Sequence, residues 1–206
     1  MRFSLLPLLL AGLIGSSAVL PAAAQRGDGG AAWRDVATER DRERLRGWRR
    51  TWIEALREAR RAGYAESIRE EGALVAPDAA LPNPAPYPGD YRCRTVKIGG
   101  QGELLDWVSY PAFRCRVTRE RGGGYALHKL TGSQRPIGRL YPDTPRRMVF
   151  LGTLQLGDER GVWRYGDDAD RDLAGHFERI GERRWRLVFP RPVFESIVDV
   201  LELVPA

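Results

Sequence analysis

Residues 128–136 form a short polar stretch that gathers most of the side chains able to do chemistry. Its candidate contact residues are His128, Lys129, Thr131, Ser133, Gln134 and Arg135. Ser133 could be a nucleophile with His128 as its base, which is hydrolase chemistry. A triad needs a defined geometry, which five residues along a strand and a turn do not provide, so we predict no catalytic residue. The stretch is either a loop that contacts a ligand or partner or a plain polar turn.

An acidic run is the second candidate. Asp168, Asp170 and Asp172 match the start of a calcium-binding loop. The next position of such a loop needs glycine but holds Leu173, and the twelfth needs glutamate but holds Arg179. We therefore interpret the run as a solvated acidic loop and predict no metal site in it.

His176 and Glu178 could form a general acid–base pair, because they alternate along one predicted strand. An ordinary exposed strand face has the same pattern, and we prefer that interpretation. The chain has only two histidines and no cluster of cysteines, which argues against zinc or haem chemistry. No glycine-rich phosphate loop or dinucleotide fingerprint occurs in the sequence. We expect no cofactor.

The two cysteines, Cys93 and Cys115, predict a disulfide if the protein is exported. Catalytic or metal-binding thiols are the alternative. A metal site would need a C-x-x-C pair or neighbouring histidines, and the sequence has neither.

Residues 1–24 predict export. A short positive start, an apolar run over residues 5–20 and small residues before Gln25 are typical of a signal peptide cleaved near Ala24. The mature chain would then be periplasmic or secreted. No later segment approaches 18 consecutive apolar residues, so we expect no transmembrane span in it.

The positive net charge of +6 does not by itself indicate a nucleic-acid partner. The 33 basic residues include only two lysines, Lys97 and Lys129, and such an arginine excess is typical of a GC-rich genome. We expect no nucleic-acid partner.

The N-terminal half predicts helices and the remainder predicts strands. After a flexible leader (25–37) we expect a helical hairpin (38–76), with Thr38 as the N-cap of a helix that carries an apolar stripe of Leu45, Trp48, Trp52 and Leu56. This helix could dock on the β domain or lie on an anionic membrane. A proline-rich linker (77–90) then leads to an antiparallel β domain (91–206).

Nine β-rich runs alternate with turn residues in that domain. They cover residues 91–98, 107–118, 125–131, 136–141, 147–156, 162–165, 173–180, 184–189 and 197–204, the last of which also fits a helical stripe. We predict an α+β protein whose antiparallel β-barrel or barrel-like sheet has about eight strands. The residues expected inside it include Phe113, Met148, Phe150, Leu154, Phe177, Trp185, Leu187 and Phe189.

Residues opposite each other in an antiparallel pair lie on the same face of the sheet, and this suggests a pairing register for two hairpins. Cys93 should lie opposite Cys115, and Phe177 opposite Trp185 across a bulged turn. The basic residues of the first hairpin, Lys97 included, are expected on a solvated outer face or against an acidic partner.

Several segments together resemble a known family. They include Gly89-Asp90-Tyr91-Arg92-Cys93-Arg94, the run from Leu130 to Pro136 and the run from Arg147 to Gly152. The chain is similar to the domain-of-unknown-function family 4893, uncharacterised exported proteins of alphaproteobacteria. The resemblance implies an envelope location, no known activity and no transferable functional residues.

These observations favour a non-enzymatic periplasmic binding module for a small apolar ligand or an envelope component, because a small barrel can hold one ligand. An inhibitor or assembly partner of another envelope protein, acting through surface loops, is the alternative. A hydrolase that uses Ser133 is the least favoured.

Overall fold

The structure, a computed structural model, describes residues 32–102, 104–121 and 123–206. Its helices are α1 (Trp33–Val36), α2 (Glu39–Arg61) and α3 (Ala65–Glu71), and a 3₁₀ turn follows at Gly72–Leu74. Within these ranges nine strands follow: β1 (Gly89–Gly100), β2 (Trp107–Ser109), β3 (Phe113–Arg119), β4 (Tyr125–Lys129), β5 (Gln134–Thr144), β6 (Arg147–Leu156), β7 (Asp172–Gly181), β8 (Arg184–Pro190) and β9 (Ser196–Pro205). The predicted signal peptide lies outside the described residues.

Eight strands form a closed antiparallel barrel, which confirms the predicted β architecture. Strands β3 to β9 pair in chain order, and β1 pairs with both β3 and β9 to close the ring. The short strand β2 pairs with the second half of β1. It is separated from β3 by Pro111 and its neighbours, so the run predicted over 107–118 is two strands rather than one.

Alternate residues of each strand fill the barrel interior. In β6, Met148, Phe150 and Leu154 point inward with Phe177 of β7 and Leu187 of β8. The eight residues predicted to face inward all belong to this core, with Phe113 only partly buried at its margin. The barrel is therefore filled by side chains along most of its length.

Two glycines let β5 and β6 approach the ring of Phe150. Gly138 and Gly152 are partners in the ladder. A Cβ atom on Gly152 would lie within 2.6 Å of the Gly138 Cα and 2.7 Å of the Phe150 ring. This close approach is a reason for glycine that the sequence pattern did not reveal.

Helix α2 packs its apolar stripe on the outside of the barrel. Thr38 caps the helix by accepting a hydrogen bond from the backbone N–H of Asp41, as predicted. Trp52 is fully buried against strands β1, β8 and β9, so the helix docks on the β domain. That α2 and α3 form a hairpin stays a prediction. In the described residues no helix combines the length and the apolarity needed to cross a bilayer.

The end of the predicted leader is ordered structure rather than a flexible segment. Residues 33–36 form α1, and Trp33 is buried with its indole N–H donating to Asp143 at 2.8 Å. Residues 25–31 lie outside the described part of the chain.

The outer face of β7 is covered by α2, which corrects the predicted exposed face. His176 is only 6 % exposed, and its Nε2 lies 3.3 Å from the carbonyl oxygen of Leu45. Burial lowers the pKa of His176. Glu178 is fully buried and accepts two hydrogen bonds from Arg186, at 2.9 and 2.6 Å. The two residues that resembled an acid–base pair therefore lie in the helix–barrel interface.

Both predicted registers are wrong by two residues. Cys93 lies opposite Phe113, and Cys115 lies opposite Tyr91. The disulfide itself is confirmed, because the diagonal neighbours Cys93 and Cys115 have Cα atoms only 5.9 Å apart.

In the later hairpin Phe177 lies opposite Leu187 instead of Trp185. The predicted bulge is confirmed between Arg179 and Gly181. Residues 162–165 are not a strand but part of the loop between β6 and β7, and residues 197–204 are a strand.

Candidate functional site

Four connections meet at one end of the barrel, which we call the mouth. They are residues 101–112 after β1, 130–133 between β4 and β5, 157–171 between β6 and β7, and 191–195 between β8 and β9. Alternate connections of an antiparallel barrel lie at the same end, so these four surround one opening.

A cavity of about 110 Å³ lies at the mouth. Its lining residues are Thr95, Lys97, Tyr110, Phe113, Lys129, Ser133, Gln134, Pro136, Leu154, Asp170, Leu173, Phe189, Pro192, Val193, Phe194, Glu195, Asp199 and Leu201. Side chains of the barrel core form its floor, and the 191–195 loop forms part of its wall. The cavity is therefore lined about equally by apolar side chains and by polar or charged ones.

Both lysines of the chain lie in this cavity. Lys97 is 5 % exposed and Lys129 is 4 % exposed. Each shares a strand face with core residues, Lys97 with Cys93 in β1 and Lys129 with Leu127 in β4. A lysine is rarely buried to this extent without a partner, so the partners of the two amines define the electrostatics of the site.

Lys97 is held by two carboxylates. It lies opposite Asp199 in the β1–β9 ladder, and its Nζ is 2.8 Å from Asp199 Oδ2 and 3.3 Å from Glu195 Oε2. Burial by itself would lower the pKa of Lys97, but the charges of Asp199 and Glu195 outweigh it and raise the pKa. Lys97 is therefore a charged, structurally paired group at neutral pH.

Lys129 has a different environment. Its Nζ donates to the backbone carbonyl of Gln134 at 2.8 Å and lies 3.9 Å from the ring centroid of Phe113. Among residues 32–102, 104–121 and 123–206, no carboxylate forms an ion pair with it. Burial, with a further contribution from the charge of Lys97, lowers the pKa of Lys129 to about 8. A substantial fraction of its amines is thus neutral near pH 8.

Hydrogen bonds tie the mouth loops to the cavity. Gln134 donates from its side-chain amide to Glu195 at 3.1 Å. The Ser196 hydroxyl donates to Asp199. Glu195 has a positive φ of 74°, which is uncommon for a residue other than glycine. Both carboxylates of the cluster lie beside Lys97.

The structure places three of the six predicted contact residues at the cavity: Lys129, Ser133 and Gln134. His128 lies on the outer face of β4, where burial lowers its pKa, so it does not approach the cavity with Ser133. The geometry that a Ser133–His128 hydrolase would need is thus missing.

The other two predicted contact residues support the loops. Thr131 accepts a hydrogen bond from the backbone N–H of Arg114 at 3.0 Å. Arg135 donates to the backbone carbonyls of Gly132 and Leu156. Both roles are structural.

Lys97 and Asp199 are the site residues that sequence reasoning missed. Lys97 was grouped with the outward arginines of its strand, although the arginines lie at even positions and Lys97 at an odd one. Side chains alternate along a strand, so Lys97 and Cys93, which are both at odd positions, lie on the same face. This spacing is the signal in the sequence that places Lys97 inside the barrel.

The acidic run forms part of a mouth loop and is not uniformly solvated. Asp172 is only 4 % exposed and accepts a hydrogen bond from the backbone N–H of Gly166, whereas Asp170 is exposed. In the described part of the chain, no group of three or more potential ligand side chains has the arrangement for a metal ion.

The cavity, at about 110 Å³, is somewhat smaller than one that holds a single benzene ring. An apolar cavity of about 150 Å³ holds benzene, whereas a water molecule needs roughly a tenth of that. A ligand in it would have apolar contacts and several polar neighbours, among them Lys129, which can donate a hydrogen bond to it.

A family model described as a domain of unknown function (DUF4893) matches residues 33–203. No curated protein and no solved structure matches the chain.

Proposed function

This chain belongs to the DUF4893 family, whose description states no function, and we propose that it is a non-enzymatic binding module for a small, mostly apolar ligand. The ligand occupies the cavity at the mouth of the barrel. An oxygen acceptor on the ligand meets the amine of Lys129.

The observation that carries this proposal is the burial of Lys129 at the mouth without an ion-pair partner in the described residues. A buried ammonium is costly unless it is compensated. Lys97 is compensated by Asp199 at 2.8 Å, but Lys129 has a single backbone carbonyl and an aromatic face. A ligand that brings an oxygen atom to Lys129 would supply the missing partner, and this is the reason to expect one.

The walls restrict the ligand to a ring or a short chain. Phe113, Leu154 and Phe189 line the cavity together with Lys129. The cavity of about 110 Å³ would hold only part of a long lipid chain or a sugar polymer. A small aromatic compound with one carboxylate or carbonyl group has the right dimensions and chemistry.

The proposal includes export to the periplasm of an alphaproteobacterium or secretion from it. The pattern of residues 1–24 supports export. The Cys93–Cys115 disulfide supports it as well, because disulfides persist in oxidising compartments. In this proposal α2 and α3 are a helical hairpin that covers the barrel and leaves the mouth open.

Titration calorimetry with benzoate tests the binding role. We expect wild-type protein to bind benzoate and the Lys129→Met variant to bind it at least about tenfold more weakly, because loss of a charge-assisted hydrogen bond costs more than 1.4 kcal/mol. His128→Gln is the matched control, since this neighbour lies on the outer face. Equal binding by wild type and Lys129→Met would reject the site.

A second candidate function is that of an assembly partner acting through surface loops. The observation behind it is that five large apolar side chains are exposed on the mouth loops: Leu104, Leu105, Val162, Trp163 and Phe194. Such side chains often mark a protein contact. Cross-linking in the periplasm should then give one stoichiometric adduct that the Leu105→Ser, Trp163→Ser double variant loses, whereas Lys129→Met keeps it.

A further inference from the structure

The amine of Lys129 is placed so that it can react as well as bind. Lys129 lines the cavity, and the one hydrogen-bonded partner of its Nζ in the described residues is the carbonyl oxygen of Gln134, 2.8 Å away. An amine that donates one hydrogen bond and is not in an ion pair can present its lone pair to a molecule in the cavity once it loses a proton. Because Lys129 lines the cavity, a carbonyl compound bound there would be the electrophile nearest to its amine.

Lys97 provides a comparison for the reactivity of Lys129 within the same protein. Lys97 lies in the same cavity but is held as an ammonium ion by Asp199 and Glu195, which raise its pKa. Burial lowers the pKa of Lys129 to about 8. At pH 8 about half of the Lys129 side chains are neutral, against less than about 1 % of an ordinary lysine. A lysine desolvated in this way is an activated nucleophile toward carbonyl carbon.

We propose that Lys129 binds an aldehyde or ketone ligand covalently and reversibly, as an imine formed within the mouth cavity. This deepens the proposed function, on which it rests, by naming the ligand class as a small carbonyl compound. The carbonyl oxygen is the acceptor that first meets Lys129, and the carbonyl carbon is the atom that Nζ then attacks.

The reaction balances without an oxidant or a reductant. The neutral Nζ adds to the carbonyl carbon, and a C–N bond forms while the C–O π electrons move to oxygen. The oxygen takes up two protons, which replace the two that nitrogen gives up, and it leaves as one molecule of water. The product is a C=N bond, and added water reverses each step.

The surroundings of Lys129 suit the protonated imine. That species is a cation at the position of the ammonium, so it keeps the contact with the Phe113 ring, whose centroid is 3.9 Å from Nζ. The imine nitrogen takes up one proton from water to reach this state, and the resulting N–H can donate to the carbonyl of Gln134 as the ammonium does.

Trapping with a reductant tests the inference. Purified protein is incubated at pH 7.5 with benzaldehyde and cyanoborohydride, and peptide mapping then locates benzyl groups. Because Lys97 and Lys129 are the only lysines, the map separates them from each other and from the α-amino group. We expect benzylation of Lys129 at least about tenfold faster than of Lys97, given their pKa difference, and slowing by added benzoate.

Each result decides the inference. Preferential, benzoate-protected labelling of Lys129 supports it, and a Lys129→Arg protein that folds and in which Lys97 is still labelled slowly supports it further. Labelling of Lys129 no faster than of Lys97, or labelling that benzoate does not slow, overturns it. The wild-type competition needs no variant, so a Lys129→Arg protein that fails to fold does not affect the test. Benzoate binding measured on the same sample separates the outcomes: binding without trapping rejects the imine and leaves the binding module intact.

Discussion

The ammonium nitrogen of Lys129 lies 3.9 Å from the ring centroid of Phe113 at the top of the barrel core. The two residues come from neighbouring strands, β4 and β3, just above the Cys93–Cys115 disulfide. An aromatic face compensates a buried ammonium only in part, by about 2 kcal/mol when the contact is desolvated. The pairing therefore leaves Lys129 as a group that costs stability and is suited to binding.

We expect Lys129→Met to stabilise the unliganded protein at pH 7. The folded pKa of about 8 is below the usual 10.5, so the unfolded chain binds more protons between these two pH values. The free energy of unfolding of the wild type then rises as pH increases from about 8 to 10.5. At pH 7 the variant should gain on the order of 2 kcal/mol, and the gain should vanish near pH 10.5.

Urea denaturation at pH 7 and pH 10.5 measures this difference. Lys97→Met is the control and should lose stability, because it leaves Asp199 and Glu195 without their cation. A loss of stability in both variants at pH 7 would mean that Lys129 is an ordinary structural lysine.

Arg186→Met should destabilise the protein by about 3–5 kcal/mol, because removing one partner leaves a buried charge uncompensated. Arg186 is fully buried, pairs with Glu178 at 2.6 Å and donates to the carbonyls of Ala73 and Ala76, each at 2.7 Å. Arg183→Met is the control, because Arg183 is an exposed residue in the β7–β8 turn. Thermal unfolding of the two variants measures the difference. Equal melting temperatures for the two variants would show that this network does not hold the helices to the barrel.

Gly152→Ala should cost at least about 1–3 kcal/mol, since overpacking forces the backbone or neighbouring side chains to move. The added methyl group would meet the backbone of Gly138 and the Phe150 ring. Gly161→Ala is the matched control, because a Cβ there meets nothing within 4 Å. Chemical denaturation of the two variants checks this, and a neutral Gly152→Ala would contradict the close packing of β5 on β6.

Loss of the disulfide in a Cys93→Ala, Cys115→Ala variant should lower the free energy of unfolding by roughly 3 kcal/mol, because the cross-link closes a loop with a sequence separation of 22. Adding a reductant should reduce the stability of the wild type and leave that of the double variant unchanged. A reductant effect of the same size on both proteins would be inconsistent with this assignment.

The strand faces could be predicted from the sequence, but the registers could not. Side chains alternate with a period of two, so a pairing shifted by two residues keeps every inward residue inside. This is why Phe177 and Leu187 were placed correctly in the core while their partners were not. The disulfide prediction survived the same shift because diagonal neighbours can also be bridged.

The covering of the barrel by helix α2 was harder to predict. A strand face that holds His176, Glu178 and Arg186 has the pattern of a solvated face. It is buried because α2 and the turn after α3 satisfy these charges through contacts distant in sequence. The burial of Lys97 could be predicted from its odd position in the strand, which it shares with Cys93. Its ion pair with Asp199 could not, because it depends on the pairing of β1 with β9 that closes the barrel.

The most direct test of the central claim is a pH titration of the two lysines by nuclear magnetic resonance. With ¹³C-labelled lysine the protein gives two side-chain signals, which Lys97→Arg and Lys129→Met assign. We predict that the Lys129 signal titrates near pH 8 and moves to higher pH with benzoate, since an anion favours the charged amine, while the Lys97 signal titrates above 10.5 and does not move. Titration of both signals above pH 10, with no response to benzoate, would contradict a binding site at Lys129.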